Sequence, residues 1–544
     1  MPSTPHFVAM EWSADRRASP SAQTVGRIRL RYQPDAALPS LAWLARLDWD
    51  GLELRVDHGT GVETHPDFYF EGAWAGDFAE GRADDTEVAF GTGCVVRGTQ
   101  VSFISSLATT DYLYYQTGAP LTISNSLALL LAALDDSLDP TYRQYDAINN
   151  TILQGVNDYV RDIPTRKGVV RRLMYHNLRC TSEGATEAPK PQPPDFGSFA
   201  DYSGYLTDSY ERLVMNARDE RRRQPLRIYT TQSRGYDTTA VNAIARSHRV
   251  DGVFTVTRGK GEPGKPDPDD DGTEIAAALG IGPIIPIDRH AYSDGFADEI
   301  YFHASMHECP DANLRQIVDH IHGPALLLTG TLGEMWYTHS CGYADRPGTL
   351  HDGLARWDLG THGLTEVRLR AGYVQAAIPY IGARKREQIL RITESDEMTP
   401  WRTGSRYDRP IPRRLGEEAG AARETFGQVK IGSVVESPPP QTPRNATLAE
   451  RYRHFLVQWR LRGAWEVSLL PLVQRLNGHL ARAWWSRRYR LLYGPVRRLL
   501  RWRDHDDAPP VIWSDLRGSL FCFAVNECAD EYARVLRKRA VQNS

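Results

Sequence analysis

Apolar and polar positions alternate along the chain in two different rhythms. In the first third, β-rich runs such as RIRLRY and EVAFGTGCVV are separated by turn residues, which predicts short strands. Further on, the apolar runs LRIYTT, GVFTVT, GPIIPID and ALLLTG are each separated by a polar or helical stretch. Continuous apolar strands that alternate with helices are typical of a parallel sheet covered on both faces. From about Thr361 the pattern is mainly helical.

Two proline-rich segments interrupt this pattern. TSEGATEAPKPQPPDFGSF is rich in proline and poor in large aliphatic residues, and SPPPQTPRN breaks the later helical region. The first composition is typical of a semi-rigid linker. We therefore predict a first domain over residues 1–182, a linker over 183–198 and a second domain over 199–544. Within the first domain, a helix is predicted from Ser124 to Leu134, with its cap near Ser124 or Asn125.

Composition narrows the class of protein. The chain has 544 residues, of which 41% are hydrophobic and 24% charged, as in ordinary globular proteins. Its net charge of −3 is too near zero to indicate nucleic acid or an anionic membrane as a partner. The six cysteines are scattered without a CxxC pair, which fits reduced thiols. With no apolar run of about 20 residues and no signal-peptide core, we expect a cytoplasmic protein.

A strand, a polar turn and a helix follow one another in IYTTQSRGYDTTAVNAIA, Ile228 to Ala245. Ligands of open parallel sheets bind beyond the carboxyl ends of the strands, where the turn Ser233–Thr238 lies. Backbone N–H groups at a helix N-terminus favour an anion there. Asp237 has the wrong charge to contact phosphate but can hold Mg²⁺ beside a pyrophosphate. By itself, the stretch is equally compatible with a plain turn in which Asp237 caps the helix.

The segment SRGYDT resembles the SGGxDS pyrophosphate loop of the N-type ATP pyrophosphatases, specifically the asparagine-synthetase group. Further segments resemble that family in the same order, over roughly Leu226 to Ser433: GVFTVTRGKG, DPDDDGTEIAAALGI, ALLLTGTLGEMW, THGLTEVRLRAGY and YDRPIPRRLGEEAG. Several positions depart from the family pattern. Arg234 replaces a glycine, Thr238 conservatively replaces a serine, Glu334 replaces a metal-binding aspartate, and Arg409 replaces an essential lysine. The other acids of the segment around Glu334, and the proline and aspartate of the segment around Glu366, are absent.

The resemblance implies an α/β fold with two functional parts. An N-terminal β-rich domain of the Ntn-hydrolase type, a degenerate glutaminase, would precede a parallel-sheet ATP-pyrophosphatase domain with a helical C-terminal region. The cofactors implied are ATP and Mg²⁺. The residues implied to bind ATP are Ser233, Arg234, Gly235, Asp237, Thr238, Val256, Thr257 and Gly330. The residues implied to hold Mg²⁺ are Asp237 and Glu334, and those implied to act in catalysis are Glu366, Arg409 and Lys430.

The glutaminase chemistry of that family is expected to be missing. It needs a nucleophilic cysteine at the mature N-terminus, whereas this chain begins Met1, Pro2, Ser3 and has no cysteine before Cys94. β-Lactam synthetases and lasso-peptide cyclases show the same loss. The resemblance therefore predicts a ligase, in natural-product biosynthesis, that adenylates a small-molecule or peptide carboxylate. An amine already present in the substrate, or delivered with it, would then form the amide, and AMP and pyrophosphate would be released.

Two other functions are compatible with the same residues. A tRNA-modifying adenylating enzyme would use a related loop, but the chain lacks a reactive CxxC and a strongly basic face. A non-catalytic nucleotide-binding scaffold would explain why Arg234, Glu334 and Arg409 depart from the family pattern. The arginine-rich and aromatic run Ala481 to Arg503 more often packs on its own protein than on lipid or nucleic acid, so neither is expected as a partner. A homodimer is left open.

Overall fold

The computed structural model describes residues 27–108, 110–154, 156–259, 268–288, 291–292, 295–305, 312–331, 333–336, 364–405, 407–429, 441–485, 512–513 and 515–543. Over these residues the chain is mixed α/β, with three sheets, one of them all-parallel, and a helical C-terminal region. None of the helices in these ranges has the length and apolar character that crossing a membrane requires.

The strands before residue 189 build two sheets. They are β1 (Arg29–Pro34), β2 (Trp43–Asp48), β3 (Glu53–His58), β4 (Glu63–Thr64), β5 (Phe68–Trp74), β6 (Ala89–Arg97), β7 (Gln100–Ile104), β8 (Leu113–Gln116), β9 (Leu121–Ser124), β10 (Asp162–Pro164), β11 (Val169–Leu173), β12 (Asn177–Thr181) and β13 (Gly184–Ala188). Their orders are β1-β3-β2-β9-β8-β11-β10 and β13-β12-β7-β6-β5-β4. Neighbouring strands are antiparallel except for β1 and β3. The predicted runs RIRLRY and EVAFGTGCVV lie at β1 and β6, so both predictions are confirmed.

The two sheets stack on each other through an apolar core. On β2, alternate residues Trp43, Ala45 and Leu47 point into this core, as the two-residue period of a strand requires. Leu44, between them, packs on the opposite face with the helices. The one polar atom of Trp43 is satisfied, because its indole N–H donates to Thr92 Oγ1 at 3.0 Å. The first sheet is therefore covered on both faces.

The α-helices are α1 (Leu127–Ala133), α2 (Tyr145–Asn150), α3 (Phe199–Ala217), α4 (Tyr236–Ala245), α5 (Thr273–Ala278), α6 (Glu299–His303), α7 (Ala312–His320), α8 (Thr365–Ala371), α9 (Arg386–Glu394), α10 (Pro410–Glu418), α11 (Ala446–Gln458), α12 (Ala464–Ser468), α13 (Leu470–Trp485) and α14 (Leu516–Asn543). Short 3-10 helices lie at Thr151–Gln154, Gly333–Trp336, Ile378–Tyr380, Ala383–Lys385 and Asp396–Trp401. The predicted helix near residue 124 begins slightly later than expected, because Ser126 is its cap and accepts a hydrogen bond from the N–H of Leu129.

The third sheet is all-parallel. Its strands are β14 (Arg227–Thr231), β15 (Gly252–Val256), β16 (Ile284–Ile287), β17 (Ala325–Thr329) and β18 (Tyr373–Ala377), in the order β16-β15-β14-β17-β18. The first four coincide with the predicted apolar runs, whereas β18 was not predicted. The chain builds outward from β14 to β15 and β16, then returns to the other side of β14 for β17 and β18. The strand order therefore reverses between β14 and β17, and such reversals open a crevice at the carboxyl edge of a sheet.

The predicted division of the chain needs two adjustments. Residues Gly184–Ala188, assigned to the linker from composition, form β13 and pair with β12. The C-terminal helix α14 packs back against the first part of the chain, where Asn526 exchanges hydrogen bonds with the backbone of Leu138. Near the end of α14, Arg539 donates to Asp57 on β3 at 2.7 Å. The C-terminal helix therefore packs against the first third of the chain.

Candidate functional site

The turn between β14 and α4 is held in shape by its own hydroxyl groups. The Ser233 hydroxyl accepts a hydrogen bond from the Gly235 N–H at 3.1 Å and lies 3.0 Å from the Thr238 hydroxyl. Thr238 Oγ1 also accepts from the Ser233 N–H at 3.1 Å. Gly235 is the N-cap residue of α4 and has no side chain to offer the first turn of the helix. The structure thus brings Ser233, Gly235 and Thr238 together at one helix N-terminus.

A buried polar network supports this turn from behind. Asn242, on α4, accepts a hydrogen bond from Thr230 at 2.7 Å and donates to Gln232 Oε1 at 2.7 Å. Gln232 in turn donates to the Ser233 carbonyl at 2.7 Å and to Thr239 at 3.1 Å. Sequence reasoning missed these residues. The available signal was polar side chains inside an otherwise apolar strand and helix, since buried polar groups need specific partners.

Asp237 is joined to Arg409. The guanidinium donates from Nη1 to both carboxylate oxygens of Asp237, at 2.6 Å to Oδ2. The Arg409 side chain is 1% exposed and that of Asp237 is 18% exposed. Arg409 precedes α10 as its N-cap residue, and its guanidinium carbon lies 5.1 Å from the centre of the Tyr407 ring. Two of the predicted site residues therefore meet, but as an ion pair.

The turn after β17 packs directly against Asp237. A Cβ at Gly330 would lie 2.8 Å from Asp237 Cβ and 2.9 Å from the Thr238 nitrogen. A Cβ at Gly333 would lie 2.5 Å and 2.7 Å from the two carboxylate oxygens of Asp237. A side chain at Gly330 would force the turn after β17 away from the start of α4, and a side chain at Gly333 would displace the Asp237 carboxylate. Gly330 thus stands at the strand-order reversal beside the β14 turn, and its lack of a side chain is what permits that contact.

Arg234 is engaged by the acidic segment that precedes α5. Its backbone N–H donates to Asp270 Oδ1 at 3.0 Å, and its guanidinium Nη2 lies 2.9 Å from Asp269 Oδ2. About a third of the Arg234 side chain remains exposed. The family resemblance placed Arg234 among the ATP-binding residues. In the structure its guanidinium is paired with the carboxylate of Asp269, which offsets its charge locally.

Two more predicted residues lie at the end of β15, the strand that pairs with β14. Val256 ends β15 and is half-buried, and Thr257 follows it in an exposed position. Tyr407, which sequence reasoning did not single out, lies over the turn, since a Cβ at Gly235 would be 4.0 Å from its hydroxyl oxygen. Burial raises the pKa of Tyr407, so its hydroxyl stays protonated and can donate. Tyr407 and Arg409 thus contribute two donors from one short segment.

Glu366 has a different environment from the one its predicted catalytic role requires. It lies on α8 and is buried, with Oε1 accepting from Ser126 at 2.5 Å and Oε2 accepting from Tyr532 at 2.6 Å. Burial raises the pKa of the Glu366 carboxyl. Both oxygens are therefore used in joining α1, α8 and α14. Nearby on α8, Arg368 is also buried and donates to Glu71 at 2.9 Å, which ties the helix to β5.

Two further predicted residues, Lys430 and Glu334, are not fully described by the structure. Lys430 is not among the described residues, and Glu334 is described only in its backbone, within the 3-10 helix Gly333–Trp336. The described residues contain no group of three or more His, Cys, Asp or Glu that could hold a metal ion. Mg²⁺ requires near-octahedral geometry at about 2.0–2.1 Å. Because Arg409 binds one side of Asp237 and the Gly333 backbone closes another, the described residues do not fit a resident Mg²⁺ at Asp237.

The described cysteines do not supply a nucleophile. Cys94, Cys180, Cys522 and Cys528 are all free and buried. Burial raises the pKa of each thiol, which keeps it protonated near neutral pH. The other two cysteines, Cys309 and Cys341, lie outside the described residues.

Comparison with known proteins adds no identification. No protein-family model matches this chain, and no curated protein matches it either. The resemblance to the asparagine-synthetase group therefore depends on the short sequence segments quoted above.

Proposed function

We propose that the protein is an ATP-dependent ligase that activates a carboxylate as its acyl-adenylate and joins it to an amine. One observation carries the proposal. A turn locked by its own hydroxyls opens α4 at the carboxyl edge of an all-parallel sheet, at the point where the strand order reverses. Crevices at that position are where open parallel sheets bind nucleotides, and helix N-termini favour phosphate.

The residues of the turn have distinct proposed roles. The backbone of Gly235 and the hydroxyls of Ser233 and Thr238 bind the β- and γ-phosphates of ATP. The buried guanidinium of Arg409, paired with Asp237, offsets the charge of that carboxylate beside the leaving pyrophosphate. Tyr407 donates from its protonated hydroxyl. Thus donors from α4 and from the segment before α10 converge on one anion.

The reaction proceeds in two balanced steps. An oxygen of the substrate carboxylate attacks the α-phosphorus of ATP, and the bond to the β-phosphate breaks to release pyrophosphate. The amine then attacks the acyl carbon, loses a proton, and displaces AMP. Glu366 is not assigned to that proton transfer, because Ser126 and Tyr532 already bind both of its oxygens.

The first part of the chain is proposed to be a glutaminase-like scaffold that has lost its chemistry. Two stacked sheets covered by helices suit such a domain, and the buried protonated thiols described above do not provide a nucleophile. Free ammonia from glutamine is therefore not the acceptor, and the amine arrives with the substrate. A reducing cytoplasm suits the free described cysteines.

A second function is favoured by one specific contact. Asp237, the residue expected to hold a cation beside pyrophosphate, is bound by Arg409. A protein that binds a nucleotide without catalysing a reaction has no need of a cation at Asp237, so the pairing is compatible with that function. The second candidate is therefore a non-catalytic nucleotide-binding scaffold built on the same turn.

A pyrophosphate-release screen separates the two functions. The full chain is incubated with ATP, a panel of amino acids, peptides and other carboxylates, and several amines, including glutamine as a donor control. The ligase predicts equal amounts of AMP and pyrophosphate with a particular carboxylate–amine pair, and no glutamate from glutamine. Arg409→Met should lose this activity. Arg414→Met, on the helix α10 that Arg409 caps, should keep it. ATP binding without pyrophosphate from any pair would favour the scaffold.

A further inference from the structure

We infer that Arg409 takes the place of a divalent cation at Asp237, so that the turn accepts a nucleotide polyphosphate without metal bound to that aspartate. This inference rests on the proposed nucleotide binding and specifies the form of the ligand. It begins from the contact between Nη1 of Arg409 and both oxygens of Asp237, at 2.6 Å for Oδ2. A carboxylate with both oxygens facing a guanidinium is already neutralised.

The surroundings of the carboxylate leave little space for a hydrated ion. The backbone of Gly333 lies so close that a Cβ there would be 2.5 Å from Oδ1 and 2.7 Å from Oδ2 of Asp237. Only 18% of the Asp237 side chain is exposed. Mg²⁺ dehydrates reluctantly and usually keeps several waters in its octahedral shell. Such a shell would have to displace either the Gly330–Gly333 turn or the guanidinium.

The positive charge of Arg409 also disfavours a divalent cation at Asp237. The Arg409 side chain is 1% exposed, lies over the Tyr407 ring and begins α10, so it is fixed by packing rather than free to swing away. A divalent cation placed on Asp237 would stand beside this fixed positive charge and be repelled by it. The ion pair as a whole carries no net charge, so a polyphosphate beside it meets less repulsion than it would beside an unpaired carboxylate. Arg409 can therefore neutralise Asp237 as a bound cation would otherwise do.

A titration of ATP into the full chain tests the inference. Calorimetry is run in EDTA and again in excess Mg²⁺, and the dissociation constants are compared. We expect the two values to agree within threefold for the wild-type chain. Arg409→Met should bind ATP at least tenfold more weakly in EDTA, and Mg²⁺ should recover part of that loss, because Asp237 is then released. Arg414→Met, an arginine on the same helix that pairs with Glu397 and Glu418, should behave as the wild type.

The contrary outcomes are distinguishable. Wild-type binding that falls tenfold or more in EDTA overturns the inference but leaves nucleotide binding standing. Absence of ATP binding in both buffers rejects the proposed nucleotide site and the inference with it. As a second readout, Mn²⁺ added with ATP is followed by electron paramagnetic resonance. A protein-bound Mn²⁺ signal that disappears in Asp237→Asn would overturn the inference, whereas a spectrum unchanged by that substitution would support it.

Discussion

Asp237 and Arg409 form an ion pair across 172 positions of sequence, and it joins the first turn of α4 to the N-cap of α10. The pair fixes the first turn of α4 against a segment that also carries Tyr407. It thereby joins the two halves of the candidate site before any ligand binds. The contact should therefore affect both the stability of the fold and the binding of a ligand at the turn.

The pair should stabilise the fold measurably. Hydrogen bonds to charged groups contribute about 1.5–3 kcal/mol, so Asp237→Asn and Arg409→Met should each lower the free energy of unfolding by roughly that amount. Because each variant removes the same contact, the double variant should lose at least ~1 kcal/mol less than the sum of the single losses. Urea unfolding of the four proteins measures the coupling. Strictly additive losses would show that the contact contributes nothing to stability.

Asp269 and ATP should compete for the guanidinium of Arg234. If the guanidinium must leave Asp269 to reach phosphate, Asp269→Asn should tighten ATP binding roughly threefold to tenfold, while Arg234→Ala should weaken it by a similar factor. Stability should change by less than ~1 kcal/mol in both, since the pair is partly exposed. Calorimetry with ATP measures the affinities. Unchanged affinity in both variants would mean that Arg234 serves only to hold the acidic segment.

Glu366 should prove to be a structural residue. Removing one hydroxyl partner in Tyr532→Phe, or the charge in Glu366→Gln, should lower the free energy of unfolding by about 1–3 kcal/mol. ATP affinity, measured well below the melting temperature, should stay within threefold of the wild type, because the contacts of Glu366 join α1, α8 and α14. If Glu366→Gln bound ATP normally but blocked product formation while Tyr532→Phe did not, the catalytic role implied by the family resemblance would be restored.

Local features of the sequence account for much of the fold. The runs at β14, β15, β16 and β17 are continuous and apolar, which is the pattern of a strand buried on both faces. The strand β18 was missed because YVQAA follows a segment with helical spacing. Gly372, with φ at 82°, ends that helix, and a glycine after a run of helix formers was the available signal.

Periodicity and turn chemistry predict the candidate site only where it is local, whereas Gly330 and Arg409 were named through the family resemblance. Ser233, Gly235 and Thr238 lie within six residues, so their proximity follows from the turn itself. The pairing of Asp237 with Arg409 depends on where α10 packs, and periodicity carries no information about that. The same holds for Glu366, whose partners come from the first domain and from the C-terminal helix.

Glu87 should make stability depend on pH. It is buried, accepts from Tyr205 at 2.7 Å, and burial raises its pKa to about 7. A raised folded-state pKa gives stability that is fully present below the ordinary value and is lost as the pH rises through about 7. Glu87→Gln lacks this loss, so its stability relative to the wild type should rise by about 1–3 kcal/mol between pH 5 and pH 8.

Urea unfolding at pH 5, 6, 7 and 8 measures this difference. Lys190, whose pKa burial lowers to about 7, contributes a slope of opposite sign mainly above pH 7, and because Glu87 and Lys190 act on each other's pKa, the difference between the two proteins contains both groups. Glu220→Gln, at an exposed position, serves as the control for the loss of one surface carboxylate. A flat difference between Glu87→Gln and the wild type would contradict the account of Glu87.

A nucleotide site at the turn between β14 and α4 is tested by the ATP affinity of a variant in which that turn is displaced. In Gly330→Ala, the new methyl group would meet Asp237 Cβ at 2.8 Å and the Thr238 nitrogen at 2.9 Å, so the β14 turn must shift. Gly204→Ala is the matched control, because a Cβ there meets nothing within 4 Å. Calorimetric titration should show that the wild type and Gly204→Ala bind ATP equally and that Gly330→Ala binds at least tenfold more weakly, a difference of about 1.4 kcal/mol. Equal affinity in all three proteins, or no binding by the wild type, would contradict a nucleotide site at this turn.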